Sequence, residues 1–258
     1  KIVAIGSRRD SSTSPSKVVI VRYNADGSID SSFGANGYVF IDADFLHTRK
    51  LALQTDGKIV VATTKDSDFF IARLNTDGSF DTDFNGTGTL TLDLRKTSDN
   101  VGSVNIQSDG KILVGGGSLS VDGSSSSFAI VRLNSSGSLD TTFGSEGKVF
   151  TLLHDFARVF DLAIQPNGKV VATGESSSHD PKLPNNFISV FATARYNSDG
   201  SMDSSFSSDG IAFAEFPLNT IPARNNIPNK VLLRDGKKIL VVGTASSFSE
   251  SDVAMIQY

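Results

Sequence analysis

RLNTDGSFDTDFN, running from Arg73 to Asn85, is one of four near-copies in this chain. The others read RYNADGSIDSSFG from Arg22 to Gly34, RLNSSGSLDTTFG from Arg132 to Gly144 and RYNSDGSMDSSFS from Arg195 to Ser207. Self-similarity of this kind marks a repeat array, in which one supersecondary unit recurs and buries its apolar face against its neighbours.

Outward from each copy lies a second repeat: KIVAIG at Lys1, TDGKIVVATT at Thr55, SDGKILVGGG at Ser108, PNGKVVATGE at Pro166 and RDGKKILVVGT at Arg234. An Asp-Gly or Asn-Gly pair flanked by apolar runs is a strong hairpin signal. We label the run before the turn a (LALQ, LAIQ) and the run after it b. A third run, c, ends at the Arg motif: VVIVRY, FFIARL, FAIVRL, FATARY and VAMIQY. A fourth, d, follows the motif: GYVFID, GTLTLDL, GKVFTLL and GIAFAEF. The c runs are apolar at successive positions, as strands covered on both faces must be. Four short strands per unit of roughly 50 to 65 residues, with no helical periodicity, predict an all-β propeller, whole or partial, of four-stranded antiparallel blades. An open solenoid-like stack is the alternative.

The expected domain is a single repeat unit array over 1–258, with blades at about 1–42, 50–94, 101–152, 158–216 and 230–258. Runs b and c occur five times, a and d four times. The chain is therefore expected to belong to a longer array, or to close its ring with a further segment or another chain.

The recurring residues can be turned into physics by comparing the copies. Gly27, Gly78, Gly137 and Gly200 stand where a tight turn wants positive φ. Phe33, Phe84, Phe143 and Phe206 read as anchors wedged between blades rather than as ligand-stacking rings. Arg22, Arg73, Arg132 and Arg195 each precede an aspartate by eight residues, namely Asp30, Asp81, Asp140 and Asp203. A structural ion pair repeated around a scaffold is the expectation, since an enzyme has no use for four copies of a catalytic pair.

Composition narrows the function. A net charge of −4 and an isoelectric point near 5.4 argue against a nucleic-acid or anionic-membrane footprint. The absence of cysteine removes disulfides and thiolate metal sites. KIVAIG at the start carries neither a basic n-region nor a long apolar run, so no signal peptide or transmembrane helix is assigned. NADGSID spaces oxygens at alternate positions, yet its glycine falls fourth and no glutamate follows at the twelfth place, so no metal or cofactor is expected. His47, His154 and His179 lie outside the repeats, and no GxSxG or P-loop pattern occurs. GGGS at Gly115 reads as a flexible loop ending a b strand.

These motifs resemble the delta-60 repeat family of bacteria, with its RxNxDGSxDxxFG and LALQxDGKIVVxG patterns. The resemblance covers nearly the whole chain; it departs at Gln257, at RDGKK, and where Asn85 and Ser207 replace the motif's last glycine. It implies a propeller-like, secreted or surface-associated protein, and no reaction, cofactor or defined site.

In an up-and-down blade the a-to-b and c-to-d turns share one face, and the b-to-c and d-to-a links the other. The first set is the repeated turns; the second varies, with long insertions ESSSHDPKLPNN at Glu175 and PLNTIPARNNIPN at Pro217. Variable loops on a rigid scaffold carry recognition. The expectation is a non-enzymatic binding, adhesion or interaction module, its surface centred on His179, Lys182, Leu183, Arg224 and Phe248, with a protein or glycan ligand. The alternatives are a purely structural spacer, or a carbohydrate-active hydrolase or lyase using Glu175, Asp180 and Glu250.

Overall fold

The computed structural model describes residues 1–9, 17–43, 50–180, 183–216, 225–247 and 251–258, apart from the side chains of 180 and 183–186. None of these residues is helical. The first sheet holds β1 (Ile2–Arg8), β2 (Lys17–Tyr23) and β3 (Tyr38–Asp42). The second holds β4 (Lys50–Leu53), β5 (Ile59–Lys65), β6 (Asp68–Leu74) and β7 (Thr89–Leu92). The third is β8 (Asp99–Ile106), β9 (Ile112–Leu119), β10 (Ser126–Leu133) and β11 (Lys148–Thr151). The fourth is β12 (Phe156–Ile164), β13 (Val170–Asp180), β14 (Leu183–Tyr196) and β15 (Ile211–Ala214). The last is β16 (Asn225–Arg234), β17 (Lys238–Ser246) and β18 (Ser251–Gln257), joined to the fourth by one parallel bridge, Ser189 to Asn225.

The second, third and fourth sheets are antiparallel meanders in the a, b, c, d order, the first has b, c and d and the last a, b and c among the described residues, and the a strands β4, β8, β12 and β16 neighbour one another from sheet to sheet. That places them at the inner end of the array, as in a β-propeller. The continuous apolar b and c runs are explained by which way successive residues point. Ile59 and Phe70 enter the core shared with the first sheet, whereas their neighbours Val60 and Ile71 enter the core shared with the third. Side chains alternate across a strand, so a sheet packed on both faces needs apolar residues at every position. Two further cores continue the stack: Phe128, Ile130 and Phe143 with Val159 and Ala194, then Val171, Phe191 and Phe206 with Val231 and Val241.

The glycine run departs from expectation. Gly115, Gly116 and Gly117 are buried within β9 rather than in a loop, opposite a register shift in β8 between Val101 and Ser103. A Cβ on Gly116 would stand 1.8 Å from the Asn100 carbonyl oxygen, so the bulged inner strand leaves room only for hydrogen. Gly174 and Gly243 hold the equivalent place, against the carbonyls of Arg158 and Ile227 beside the shifts in β12 and β16.

Candidate recognition surface

The four Arg motifs fold into one repeated joint. Arg22, Arg73, Arg132 and Arg195 donate through Nε to Oδ2 of Asp30, Asp81, Asp140 and Asp203 at 2.7, 2.5, 2.7 and 2.6 Å. Each guanidinium also lies over the phenylalanine of its own motif, 4.5 Å from the Phe143 centroid and 4.9 Å from that of Phe84. A lysine absent from the sequence reading completes the group. Lys1, Lys58, Lys111 and Lys169, each at the start of a b strand, reach the same Oδ2 atoms at 2.9, 2.8, 3.1 and 2.7 Å.

The other oxygen of each aspartate turns back on its own loop: Asp140 Oδ1 accepts the Thr142 hydroxyl at 2.7 Å and its amide at 3.2 Å. Burial works to raise the Asp140 carboxyl, and Thr142, Lys111 and Arg132 outweigh it, holding it well below the usual carboxylate range. A carboxylate satisfied on both oxygens has nothing left for base catalysis or for a metal ion. The joint also crosses to the next sheet. Arg22, Arg73 and Arg132 donate through Nη1 to the carbonyls of Thr76, Ser135 and Ser198. Gly34, Asn85 and Gly144 amides meet the carbonyls of Asp77, Ser136 and Asp199 at 2.7, 2.8 and 2.7 Å. In the NADGSID-type turns, Asp26, Asp77 and Asp199 each accept the serine two residues on, which accounts for their alternating oxygens.

On this repeated-turn face a cleft of about 760 Å³ opens between the third and fourth sheets, lined among others by Gln107, Asp109, Lys111, Arg132, Gln165 and Asp199. Lys111 and Arg132 are held by Asp140, and the remaining lining mixes polar groups with Ile106, Ile164 and Pro166.

The variable-loop face is different in kind. Its longest strands among the described residues are those of the hairpin of β13 and β14, eleven and fourteen residues long, where the b and c strands of the second sheet have seven. His179 and Phe187 are cross-strand partners on it, their ring centroids 4.4 Å apart. Phe187 meets Phe156 edge-on at 5.5 Å. Asp155, from the link before β12, accepts both His179 Nδ1 at 3.0 Å and the His179 amide at 3.2 Å. These bonds from His179 hold the Asp155 carboxyl below its ordinary value. Phe187 is 41 % exposed and the His179 side chain 57 % exposed. His154 stacks on exposed Phe213 at 4.7 Å and pairs through Nδ1 with Ser176 Oγ at 3.0 Å.

Of the surface expected from sequence, His179 falls in this ring cluster. Lys182, Arg224 and Phe248 lie outside the described residues, as does the side chain of Leu183, which opens β14. Of the carboxylates weighed for catalysis, Glu175 accepts Arg158 Nε at 3.0 Å, Asp180 pairs through its backbone with Leu183, and Glu250 lies outside the described residues. Phe156, Phe187 and Asp155 escaped sequence reading because only the hairpin register brings them to His179.

The family model described as "Domain of unknown function (DUF5122) beta-propeller" matches residues 1–33, 54–84, 107–143 and 165–206, more than half of the chain. The chain belongs to this family. Each segment matched to the DUF5122 propeller closes on the wedge phenylalanine of one joint, Phe33, Phe84, Phe143 or Phe206. No curated protein matches the chain. Similar solved structures include virginiamycin B lyase from Staphylococcus aureus, at 12 % identity and a TM-score of 0.37, covering 81 % of this chain and 69 % of that one. Another is MPT-4, a mannose phosphorylase from Leishmania mexicana in complex with phosphate ion, at 13 % identity and a TM-score of 0.42, covering 93 % and 74 %.

Proposed function

We propose that this DUF5122 propeller is a non-catalytic binding module of a secreted or surface-associated bacterial protein, with the variable-loop face as its recognition surface. The delta-60 resemblance supports that setting. The observation that carries the reading is the pair of exposed rings, His179 and Phe187, on the hairpin of β13 and β14, backed by half-buried Phe156 of β12, with the Asp155 carboxylate at its edge. Flat rings beside an acceptor are the chemistry that stacks on the apolar face of a sugar and takes hydrogen bonds from its hydroxyls, so a glycan is the first ligand class to try. A hydrolase or lyase needs converging uncommitted carboxylates, and Glu175 is engaged by Arg158.

A glycan and cell-surface binding screen tests this. Phe187→Ala and His179→Ala should each weaken binding at least tenfold with circular dichroism unchanged, and short turns grafted in place of residues 176–186 and 218–228 should abolish it. Unchanged binding in these variants would move the recognition surface elsewhere. Absence of any ligand would favour the purely structural reading, which the four repeated joints support.

A further inference from the structure

Away from the ring cluster, the link between the second and third sheets gathers acidic groups that none of the joints uses. Asp68 opens β6 just after a hairpin turn at Asp66 and Ser67, both in the left-handed region at φ 52° and 67°. Asp93 follows β7, and Asp99 opens β8. One carboxylate oxygen from each of Asp68, Asp93 and Asp99 lies within 4.8 Å of the other two. The backbone fixes this convergence: the Asp99 amide donates to the Ser67 carbonyl at 2.7 Å, and the Leu94 amide donates to Asp99 Oδ2 at 2.8 Å. The Lys96 amide donates to Asp93 Oδ1.

Asp99 is the decisive member. It is fully buried, turns a carboxylate oxygen into the group, and its Oδ1 accepts no hydrogen bond. Its cross-strand partner Ser118 is buried beside it and works to lower the Asp99 carboxyl, but neither Ser118 Oγ nor Asp99 Oδ1 has a partner at full hydrogen-bond geometry. No basic side chain among the described residues pairs with any of the three aspartates, whereas buried Asp81, Asp140 and Asp203 each have two. A buried carboxylate oxygen with no donor costs free energy unless a cation serves it. Burial raises the carboxyls of both Asp68 and Asp99, more than Ser118 and the Leu94 amide lower that of Asp99, and the Asp93 charge adds to the rise in both.

We propose that Asp68, Asp93 and Asp99 form a calcium site that ties the hairpin of the second sheet to the inner strand of the third. The donors are all hard oxygens, which select calcium or magnesium over transition metals. A site joining two loops suits the more flexible ion. It differs from the repeated NADGSID turns, whose aspartates are spent on serine.

The test is calorimetric titration of chelator-treated protein with calcium chloride, with magnesium chloride in parallel. One calcium per chain is expected, with a Tm that rises as calcium is added. Asp93→Asn, at an exposed position, should fold normally, bind at least tenfold more weakly and lose the Tm response; Asp68→Asn should do the same. Asp235→Asn, an exposed acid elsewhere, should match the parent. No binding and no Tm shift at about 10 mM calcium, beyond the weakest extracellular calcium modules, would overturn the site. An undiminished response in both Asp93→Asn and Asp68→Asn would overturn it as well. Tighter binding of magnesium would overturn the choice of ion.

Discussion

The ring of Phe84 fills the space that a side chain at Gly137 would need: a Cβ there would stand 3.0 Å from Cδ2 and Cε2 of the ring. Phe33 meets Gly78, and Phe143 meets Gly200, at the same separation. Each phenylalanine is thus held between the arginine of its own sheet and the glycine turn of the next.

Gly137→Ala should lower stability by more than about 1 kcal/mol, because φ is +90° and the ring is in the way. Gly27 has φ +86° with nothing within 4 Å of a built Cβ, so Gly27→Ala should cost less. Urea unfolding of both variants makes the comparison, and equal losses would show that the ring contact contributes nothing.

Phe143→Ala should cost about 3 to 5 kcal/mol, since the ring is fully buried between sheets. Phe206 is 7 % exposed and packs edge-on against Tyr258, so its removal should cost less. A reversed order in denaturant midpoints would contradict the wedge.

Arg132 and Asp140 have side chains only 6 % exposed each. Removing either should cost about 3 kcal/mol, the lower end of the range for broken buried pairs, because Lys111 and Thr142 remain beside Asp140 and the Ser198 carbonyl beside Arg132. A double-mutant cycle reads the coupling, and strict additivity would reject the clamp.

Asp140 and Asp203 are held low in the folded chain, Asp203 chiefly by Lys169, while an unfolded carboxyl titrates near about 3.9. A depressed folded value gives stability that is present above the unfolded value and lost as pH falls below it. Parent stability should therefore drop below about pH 4, and Asp140→Asn should flatten that acid limb. Asp68 and Asp99, raised first by burial, act in the opposite sense, so the difference between parent and variant isolates the joint. Parallel curves from pH 7 to pH 2.5 would refute the assignment.

The all-β class, the strand order and the spacing of Arg132 from Asp140 were legible because four copies serve as their own comparison. Lys111 was not, because it belongs to the other motif and reaches Asp140 only through the pairing of β9 with β10. The three glycines of β9 looked like a loop because the need for them lies in the bulge of a different strand. The grouping of Asp68, Asp93 and Asp99 has no periodic signal, since it arises from stacking one sheet on the next. His179 drew notice as an oddity in a long insertion, but its partner Phe187 is set by hairpin register, which that insertion hides.

The bond from Arg22, Arg73 and Arg132 to a carbonyl of the following sheet has a front and a back. Arg73 gives to Ser135 and the Asn85 amide to Ser136, and among the described residues no backbone bond of the joint runs the other way. Units are therefore interchangeable in order but not in orientation. Excising residues 74–132 would bring Leu133 behind Arg73 and recreate the same RLN junction, so unequal crossing-over between like sequences can lengthen or shorten the array by whole units without inventing a contact.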